Sequence, residues 1–169
     1  MSELADNTAS YAIVTDTMCD LPGEWLAEKN VCAVPMSIHM RRGKVVRDYV
    51  DVCVPDFYIT LAQAEGELTT SAPSVEDYKG HYQELLDKGY EHIISVHASS
   101  VLSNSYSNAC AAAQAMGKEA NIAVIDSKTI SVAQGFIVED LVASCSAGVS
   151  FEEALAHANM LCAYAQLYL

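Results

Sequence analysis

The densest group of side chains able to bind an anion is a serine-rich segment that follows a predicted strand at residues 92–97. A predicted helix begins directly after it, and a helix N-terminus presents about four unpaired backbone N–H groups and a partial positive charge. Ser99, Ser100 and Ser103 add hydroxyl donors to this segment. The composition therefore predicts a neutral cradle for a carboxylate or phosphate. Serine is also an ordinary N-cap residue, so helix capping alone remains the alternative.

A second hydroxyl-rich segment, at residues 69–74, also precedes a predicted helix. Its final proline and serine suffice for a turn and an N-cap. The hydroxyls of Thr69, Thr70 and Ser71 are surplus to that role. Two such loops in one domain predict a shared anion site, with a plain turn and cap as the alternative.

Asp16 and Asp126 each end a predicted strand. An aspartate at the end of a first strand can hold Mg²⁺, so a small phosphotransferase or hydrolase that uses both carboxylates is a hypothesis from a different class. Phosphotransferases of the haloacid dehalogenase type carry an Asp-x-Asp pair, whereas the second aspartate here, Asp20, lies four residues on. This spacing favours a structural role, in which Asp16 bonds to neighbouring loops and Asp20 caps the next helix.

The histidines and cysteines show no pattern typical of a metal or catalytic site. His92 and His97 lie five residues apart on one predicted strand and therefore face opposite sides of it. The six cysteines form no CxxC pair, which predicts free thiols that behave as small buried hydrophobic residues. The chain contains no GxSxG, GxGxxG or P-loop motif. We therefore expect no metal, no cofactor and no catalytic residue.

The elements that position these loops alternate between strand and helix. Short apolar runs predict strands at residues 11–15, 31–38, 92–97 and 121–126, and capped or amphipathic segments predict helices at 22–29, 55–64, 74–88, 103–116, 129–147 and from 150. Pro35 predicts a bulge or an edge position in the second strand, and residues 39–49 resemble a hairpin arm around Gly43. The order indicates an α/β fold with three α/β/α layers and a mostly parallel sheet. Ligands of such sheets bind at the carboxyl ends of the strands, where the candidate loops lie.

Length and charge limit the classes of partner. The chain has 169 residues of which 51% are hydrophobic, enough for one domain with a real core; we expect a flexible segment at 1–10 and a single α/β domain at 11–169. Its 22 acidic and 9 basic residues give a net charge of −13, which excludes nucleic acid and anionic membrane surfaces as partners. No apolar segment is long enough to span a bilayer and no secretion signal is present, so a cytoplasmic location is expected.

Several segments taken together resemble the DegV family, in the order and spacing of that family. The matching segments are residues 14–17, 20–22, 34–37 and 56–58 near the start, residues 69–74 beside the family's TTSQPS loop, residues 99–106 beside its SSGLSGTY loop, and residues 126–128 beside its DSK. Each match is weak alone, but jointly they are specific, and they extend from about residue 11 to 165.

The resemblance implies a fatty-acid-binding protein in which a long acyl chain lies in a tunnel between two α/β domains. It implies Thr69 and Ser100 as the main ligands of the carboxylate, with Thr70, Ser71, Ser99 and Ser103 close by and Asp16, Asp126 and Ser127 in support. Some family members, of the FakB type, present the carboxylate to a separate kinase. The resemblance therefore implies a binding subunit, not an enzyme, with a bound fatty acid and no cofactor.

The chain departs from the family pattern in its loops and in its length. Val101 and Asn104 stand in place of two family glycines, and Ala72 replaces a glutamine. Family members are longer, and this sequence ends about where their second domain begins, so we expect only the N-terminal domain portion. Residues 129–169 contain no Lys or Arg, and their first helix is apolar around most of its circumference. Such a helix is expected to be covered, which predicts a homodimer through the 129–169 helices and leaves a purely structural dimerisation module as a third hypothesis.

Overall fold

Strands and helices alternate along most of the chain. The computed structural model describes residues 11–40, 43–52, 54–63 and 68–167, so the predicted flexible segment 1–10 lies outside the described residues. The strands are β1 (Tyr11–Asp16), β2 (Cys32–Val34), β3 (Ser37–His39), β4 (Val45–Arg47), β5 (Thr69–Ser71), β6 (His92–His97) and β7 (Ile122–Asp126). The helices are α1 (Gly23–Glu28), α2 (Val54–Gln63), α3 (Val75–Asp87), α4 (Ser105–Met116), α5 (Val132–Ser146) and α6 (Phe151–Tyr164), with 3₁₀ turns at Thr17–Cys19 and Lys118–Ala120.

The main sheet has four parallel strands in the order β2-β1-β6-β7. In its register Thr15 lies beside Val96, and His97 lies beside Asp126. All six residues of β1 are buried, as expected for a central parallel strand that is covered on both faces. Because the strands are parallel, β1, β6 and β7 deliver their last residues to one edge of the sheet.

Helices cover both faces of this sheet, which confirms the predicted three-layer α/β/α architecture. Successive residues of a strand point to opposite faces. Ile13 and Ile94 therefore pack with the α5 and α6 side chains in one core cluster, whereas Val14 and Ile93 pack with those of α3 and α4 in another. The alternation of the central strands thus divides the core between two helical layers.

A second, smaller sheet contains three antiparallel strands in the order β4-β3-β5. It corrects two expectations. The predicted strand at 31–38 is broken at Pro35 into β2 and β3, which belong to different sheets, because proline cannot donate a ladder hydrogen bond. Residues 69–71, predicted as part of a loop, form the edge strand β5 beside β3; threonine is a residue type that strands favour.

The helix boundaries follow local capping chemistry. The hydroxyls of Ser74 and Ser150 each accept the N–H of the residue three positions on, and the carboxylate of that residue accepts the serine N–H in return, so both capping boxes are present. The helix predicted from residue 129 begins at Val132, since Ser131 at φ 60° lies outside helical conformation. No helix in the described ranges is long and apolar enough to cross a membrane.

Candidate functional site

The carboxyl edge of the main sheet gathers three of the loops that the sequence singles out. The 3₁₀ turn follows Asp16 at the end of β1, the segment 98–104 follows His97 at the end of β6, and the segment 127–131 follows Asp126 at the end of β7. This edge is where open α/β sheets bind their ligands. The predicted placement of these loops at one edge is therefore confirmed.

The carboxylate of Asp16 is fully buried and ties these loops together. Its Oδ2 accepts hydrogen bonds from the Ala98 N–H at 3.1 Å and from His97 Nδ1 at 3.0 Å. Its Oδ1 accepts from the Met18 N–H and from Gln134 Nε2, each at 3.1 Å. Asp16 therefore fixes the first residues of two loops and the start of α5.

A chain of buried polar groups continues from Asp16 through His97. His97 Nε2 lies 2.6 Å from Ser95 Oγ, which lies 2.8 Å from the hydroxyl of Tyr82. The order Ser95, His97, Asp16 is that of a serine hydrolase triad. All three side chains are fully buried and the Ser95 hydroxyl contacts Tyr82, so no substrate reaches this serine. The arrangement therefore positions loops and has no access for a substrate.

Hydrogen bonding decides the charge of Asp16. Burial alone raises the pKa of this carboxyl, but the hydrogen bond and charge of His97, with the donors of Gln134 and Ala98, outweigh it and hold the pKa below its usual range. Both oxygens already accept from fixed N–H donors, so no lone pair faces solvent. This geometry supports the predicted structural role of Asp16 and gives a Mg²⁺ ion no open position on it.

The serine-rich segment 98–104 exposes only part of its hydroxyls. Ser99 is buried; its N–H donates to the Thr129 carbonyl at 2.8 Å, and its Oγ accepts from the Val101 N–H at 3.4 Å. Ser103 is half-buried, and its Oγ accepts the Ser105 N–H at 3.2 Å. Ser100 is exposed at the sheet edge. Ser99 and Ser103 thus shape the loop, and Ser100 presents its side chain to solvent.

Asp126 holds Ser100 in place. Its two oxygens accept from the Ser100 N–H at 3.1 Å and from the Ser100 hydroxyl at 2.5 Å, and its Oδ1 also accepts from the Lys128 N–H at 3.0 Å. Ser127 is fully buried, donates its hydroxyl to the Thr129 carbonyl at 3.1 Å and accepts the Thr129 N–H at 3.3 Å. Asp126 and Ser127, which are predicted as supporting residues, therefore organise the sheet edge through hydrogen bonds.

The hydroxyls of β5 are all exposed, but they do not share one face. Strand alternation separates Thr70 from Thr69 and Ser71. Ser71 Oγ lies 2.8 Å from His39 Nε2, whereas Thr70 lines a cavity. The segment that follows β5 is joined to α4 by a hydrogen bond from Asn108 Nδ2 to the Pro73 carbonyl, at 2.8 Å.

The cavity that contains Thr70 has a volume of about 290 Å³ and lies between the small sheet and the loops at the carboxyl edge of the main sheet. Methionine, isoleucine and phenylalanine side chains form its apolar wall, and Thr17, Asp20, Asp48, Thr70 and Ser131 add polar groups. Its lining residues are Thr17, Met18, Asp20, Met36, Ile38, Asp48, Phe57, Thr70, Ile130 and Ser131. Ser100 and Thr69 do not line it. An apolar pocket with a few polar groups is the usual form of a small-molecule site.

Where the structure describes the cysteines, the prediction of free thiols is confirmed, but only Cys19 and Cys162 are buried and the other three are half-buried. Cys19, Cys32, Cys110, Cys145 and Cys162 are free thiols, whereas Cys53 lies outside the described residues. Burial raises the pKa of the Cys19, Cys32 and Cys162 thiols to about 11, which keeps them protonated and unreactive. In the described ranges no three His, Cys, Asp or Glu side chains form a group suited to a metal ion.

Sequence reasoning missed two parts of this site. The first is the buried chain of hydrogen-bonded groups from Tyr82 to Asp16. Its one signal in the sequence is that Ser95 and His97 lie two residues apart in β6 and therefore on one face of the strand. The second is the cavity that contains Thr70. Its lining comes from six separate segments, and no local pattern reveals that they meet.

Comparison with known proteins identifies the family of this chain. The family model described as "Uncharacterised protein, DegV family" matches residues 10–169. A DegV domain-containing protein of Staphylococcus aureus is 37% identical over 149 residues, which cover 88% of this chain and 52% of that protein.

Two solved structures are similar over about half of their length. A DegV family protein from Thermus thermophilus, described by its fatty acid binding, has a TM-score of 0.80 and 28% identity, covering 90% of this chain and 53% of that one. A stearic acid-binding protein from Eubacterium ventriosum has a TM-score of 0.79 and 31% identity, covering 88% and 52%. This chain spans about half the length of each of these three relatives. From the family match and this shared fold, we conclude that the chain belongs to the DegV family.

Proposed function

We propose that this chain forms the first half of a fatty acid site, in which exposed hydroxyls hold the carboxylate and the cavity that contains Thr70 takes part of the acyl chain. The observation that carries the proposal is the apolar cavity with Thr70 in its wall, next to a sheet edge that presents Ser100. The resemblance of the two loops to those of the family makes Thr69 and Ser100 the proposed main ligands at the exposed edge, outside the cavity lining, with Thr70, Ser71, Ser99 and Ser103 as further candidates.

The relatives support this choice of ligand. The Thermus and Eubacterium proteins are described as binding fatty acid and stearic acid, and each shares more than a quarter of its aligned residues with this chain. The buried Asp16 network fixes the N–H of Ala98, the first residue of the serine-rich segment, so that segment is held in place before a ligand arrives. Preorganised donors lose less entropy when they bind an anion.

The proposed role is binding and presentation of the ligand. A carboxylate held by hydroxyls at an exposed edge remains accessible to a second protein. A partner kinase is the protein to which the carboxylate is proposed to be presented. The chain itself uses no cofactor in this proposal and performs no chemical step. The other half of the acyl site would come from the second half of the longer relatives or from a partner chain.

The Ser100→Ala variant tests the assignment. We expect the purified chain to bind a long-chain fatty acid, detected by native mass spectrometry and by titration, and the variant to bind at least about tenfold more weakly. The reason is that a hydrogen bond to a charged group contributes about 1.5–3 kcal/mol. Thr69→Val and Thr70→Val should differ, because the two hydroxyls face opposite sides of β5, and the variant with the larger loss identifies the one that contacts the ligand.

Ser107→Ala is the matched control, because Ser107 is exposed nearby on α4 but donates its hydroxyl to the Asn104 carbonyl of its own helix at 2.9 Å. We expect its affinity for fatty acid to stay at the level of the unmodified chain. Unchanged affinity in Ser100→Ala would remove this residue from the site, and no binding by the unmodified chain would contradict the proposed function of the isolated domain.

The same proposal includes self-association through the 129–169 helices. Phe136 and Tyr164 are 67% and 77% exposed, and with Ala133, Ile137 and Leu161 they line an apolar groove of about 350 Å³ between α5 and α6. Light scattering should give a mass of twice 18.2 kDa, and Phe136→Asp should halve it. An 18.2 kDa particle at high protein concentration would contradict self-association.

A further inference from the structure

The hydrogen bond between Ser100 and Asp126 raises a conflict within the proposed site. A serine hydroxyl has a single proton to donate. In this structure the Ser100 hydroxyl donates that proton to Asp126 Oδ2 at 2.5 Å. If a ligand carboxylate accepts a hydrogen bond from the same hydroxyl, the hydrogen bond from that hydroxyl to Asp126 must break.

Asp126 is also a negative charge at the place where an anion would bind. Burial raises its pKa, but hydrogen bonds from the Ser100 hydroxyl, the Lys128 N–H and the Ser100 N–H outweigh it, so the pKa is held below its usual range. The other titratable groups that act on it electrostatically are the Lys128 ammonium in its own loop, Tyr106 on α4 and Cys162 on α6. Only Lys128 among these is positive, and it is exposed.

We propose that Asp126 is a specificity-determining residue that competes with the bound carboxylate for the Ser100 hydroxyl and so limits the affinity of this chain for fatty acid anions. This inference rests on the proposed function and deepens it. Asp126 orients Ser100 through two hydrogen bonds in the free protein. When the ligand binds, Asp126 keeps the hydrogen bond from the Ser100 N–H and loses the one from the Ser100 hydroxyl. The negative charge of Asp126 also repels that of the ligand.

Asparagine at this position separates orientation from competition. In Asp126→Asn the carbonyl oxygen can still accept from the Ser100 and Lys128 N–H groups, which both approach Oδ1. The amide nitrogen then takes the place of Oδ2 and donates to the Ser100 oxygen. All three contacts survive, the hydroxyl proton is free for the ligand, and the negative charge is gone.

The test compares an anionic ligand with a neutral one of the same length. We expect Asp126→Asn to bind palmitate about threefold to tenfold more tightly than the unmodified chain, the range of one partly exposed charge contact. Hexadecanol, which has no charge and can accept or donate through its own hydroxyl, should bind with unchanged affinity. The gain should be smaller in the Ser100→Ala background, because no hydroxyl remains to be released and only the removal of the charge is left.

Glu91→Gln is the matched control, since it removes one negative charge from an exposed residue that precedes β6, at the opposite edge of the sheet. It should leave both affinities unchanged. Equal or weaker palmitate binding by Asp126→Asn, with intact binding by the unmodified chain, would overturn the inference and leave the proposed function standing. No palmitate binding by the unmodified chain would overturn both. If the asparagine variant does not fold, Asp126→Ser removes the same charge, keeps an acceptor for the N–H groups and must shift palmitate binding in the same direction.

Discussion

Replacing Asp16 with asparagine is expected to destabilise the protein by about 3 kcal/mol, the upper range for leaving a buried hydrogen-bond donor without an acceptor. Each carboxylate oxygen of Asp16 accepts one backbone N–H, from Met18 on one side and from Ala98 on the other. An asparagine amide has one oxygen and one NH₂ group. Whichever way it is turned, its NH₂ group therefore meets a backbone N–H donor that has no other partner in this network.

Urea unfolding of the two chains measures this loss. Asp51→Asn is the matched control, because Asp51 is exposed and its ion pair with Arg47, at 3.0 Å, lies at the surface. Surface pairs of this kind add little to stability, so this variant should unfold close to the midpoint of the unmodified chain. An Asp16→Asn midpoint equal to that of the control would show that the buried network does not hold the sheet edge together.

The pH dependence of unfolding gives the same residue a second signature. The pKa of Asp16 is lowered in the folded protein from its ordinary value of 3.8. Below pH 3.8 the carboxyl is therefore protonated in the unfolded chain while it is still ionised in the folded chain. The contribution of Asp16 is therefore complete above pH 3.8 and is lost as the pH falls through the lower folded value. The free energy of unfolding of the Asp16→Asn variant should accordingly fall less steeply in acid.

A methyl group at Gly135 is expected to destabilise the protein by about 3 kcal/mol, in the upper range for overpacking a core. A Cβ atom there would lie 2.7 Å from the Cys19 carbonyl oxygen and 3.2 Å from Leu21 Cγ. The nearest obstacle is backbone, so α5 as a whole must move away from the 3₁₀ turn. That movement would also pull Gln134 away from Asp16, since the two residues are hydrogen-bonded.

Gly80 supplies the control for Gly135→Ala because it too is a glycine inside a helix. Nothing lies within 4 Å of a Cβ built on it, and it is exposed on α3. Gly80→Ala should therefore stabilise the protein by about 0.5–1 kcal/mol through helix propensity. Thermal unfolding should move in opposite directions for the two variants, and a rise for both would contradict the close approach of α5 to the 3₁₀ turn.

The parts of the fold that the sequence predicts are those encoded by neighbouring residues. The apolar runs of β1 and β6 and the capping boxes at Ser74 and Ser150 are local signals, and the structure confirms them. Pro35 is a local signal as well, and it predicts a bulge or an edge position within one strand. The structure shows that β3 joins another sheet after Pro35. Its partner strand β5 is distant in the sequence, since the paired residues Ile38 and Thr70 lie 32 positions apart.

The candidate site is predictable to the level of its loops and not to the level of its contacts. The hydroxyl-rich segments and the aspartates at the strand ends can be read from residue type and order. The contact between His97 and Asp16 joins residues 81 positions apart, and that between Gln134 and Asp16 joins residues 118 apart. Only the completed sheet brings such residues together. The separation of Thr70 from Thr69 likewise depends on β5 being a strand and not a loop.

The two sides of the candidate site differ in how far they can adapt to a ligand. On one side, any shift of the Ala98 backbone must break a buried contact with Asp16, so this wall acts as a rigid template. On the other side, β5 is a three-residue edge strand with exposed residues, and it pairs with a neighbouring strand along one side only. Induced fit to ligands of different shape should therefore be confined to the small sheet, while the serine-rich segment keeps its conformation.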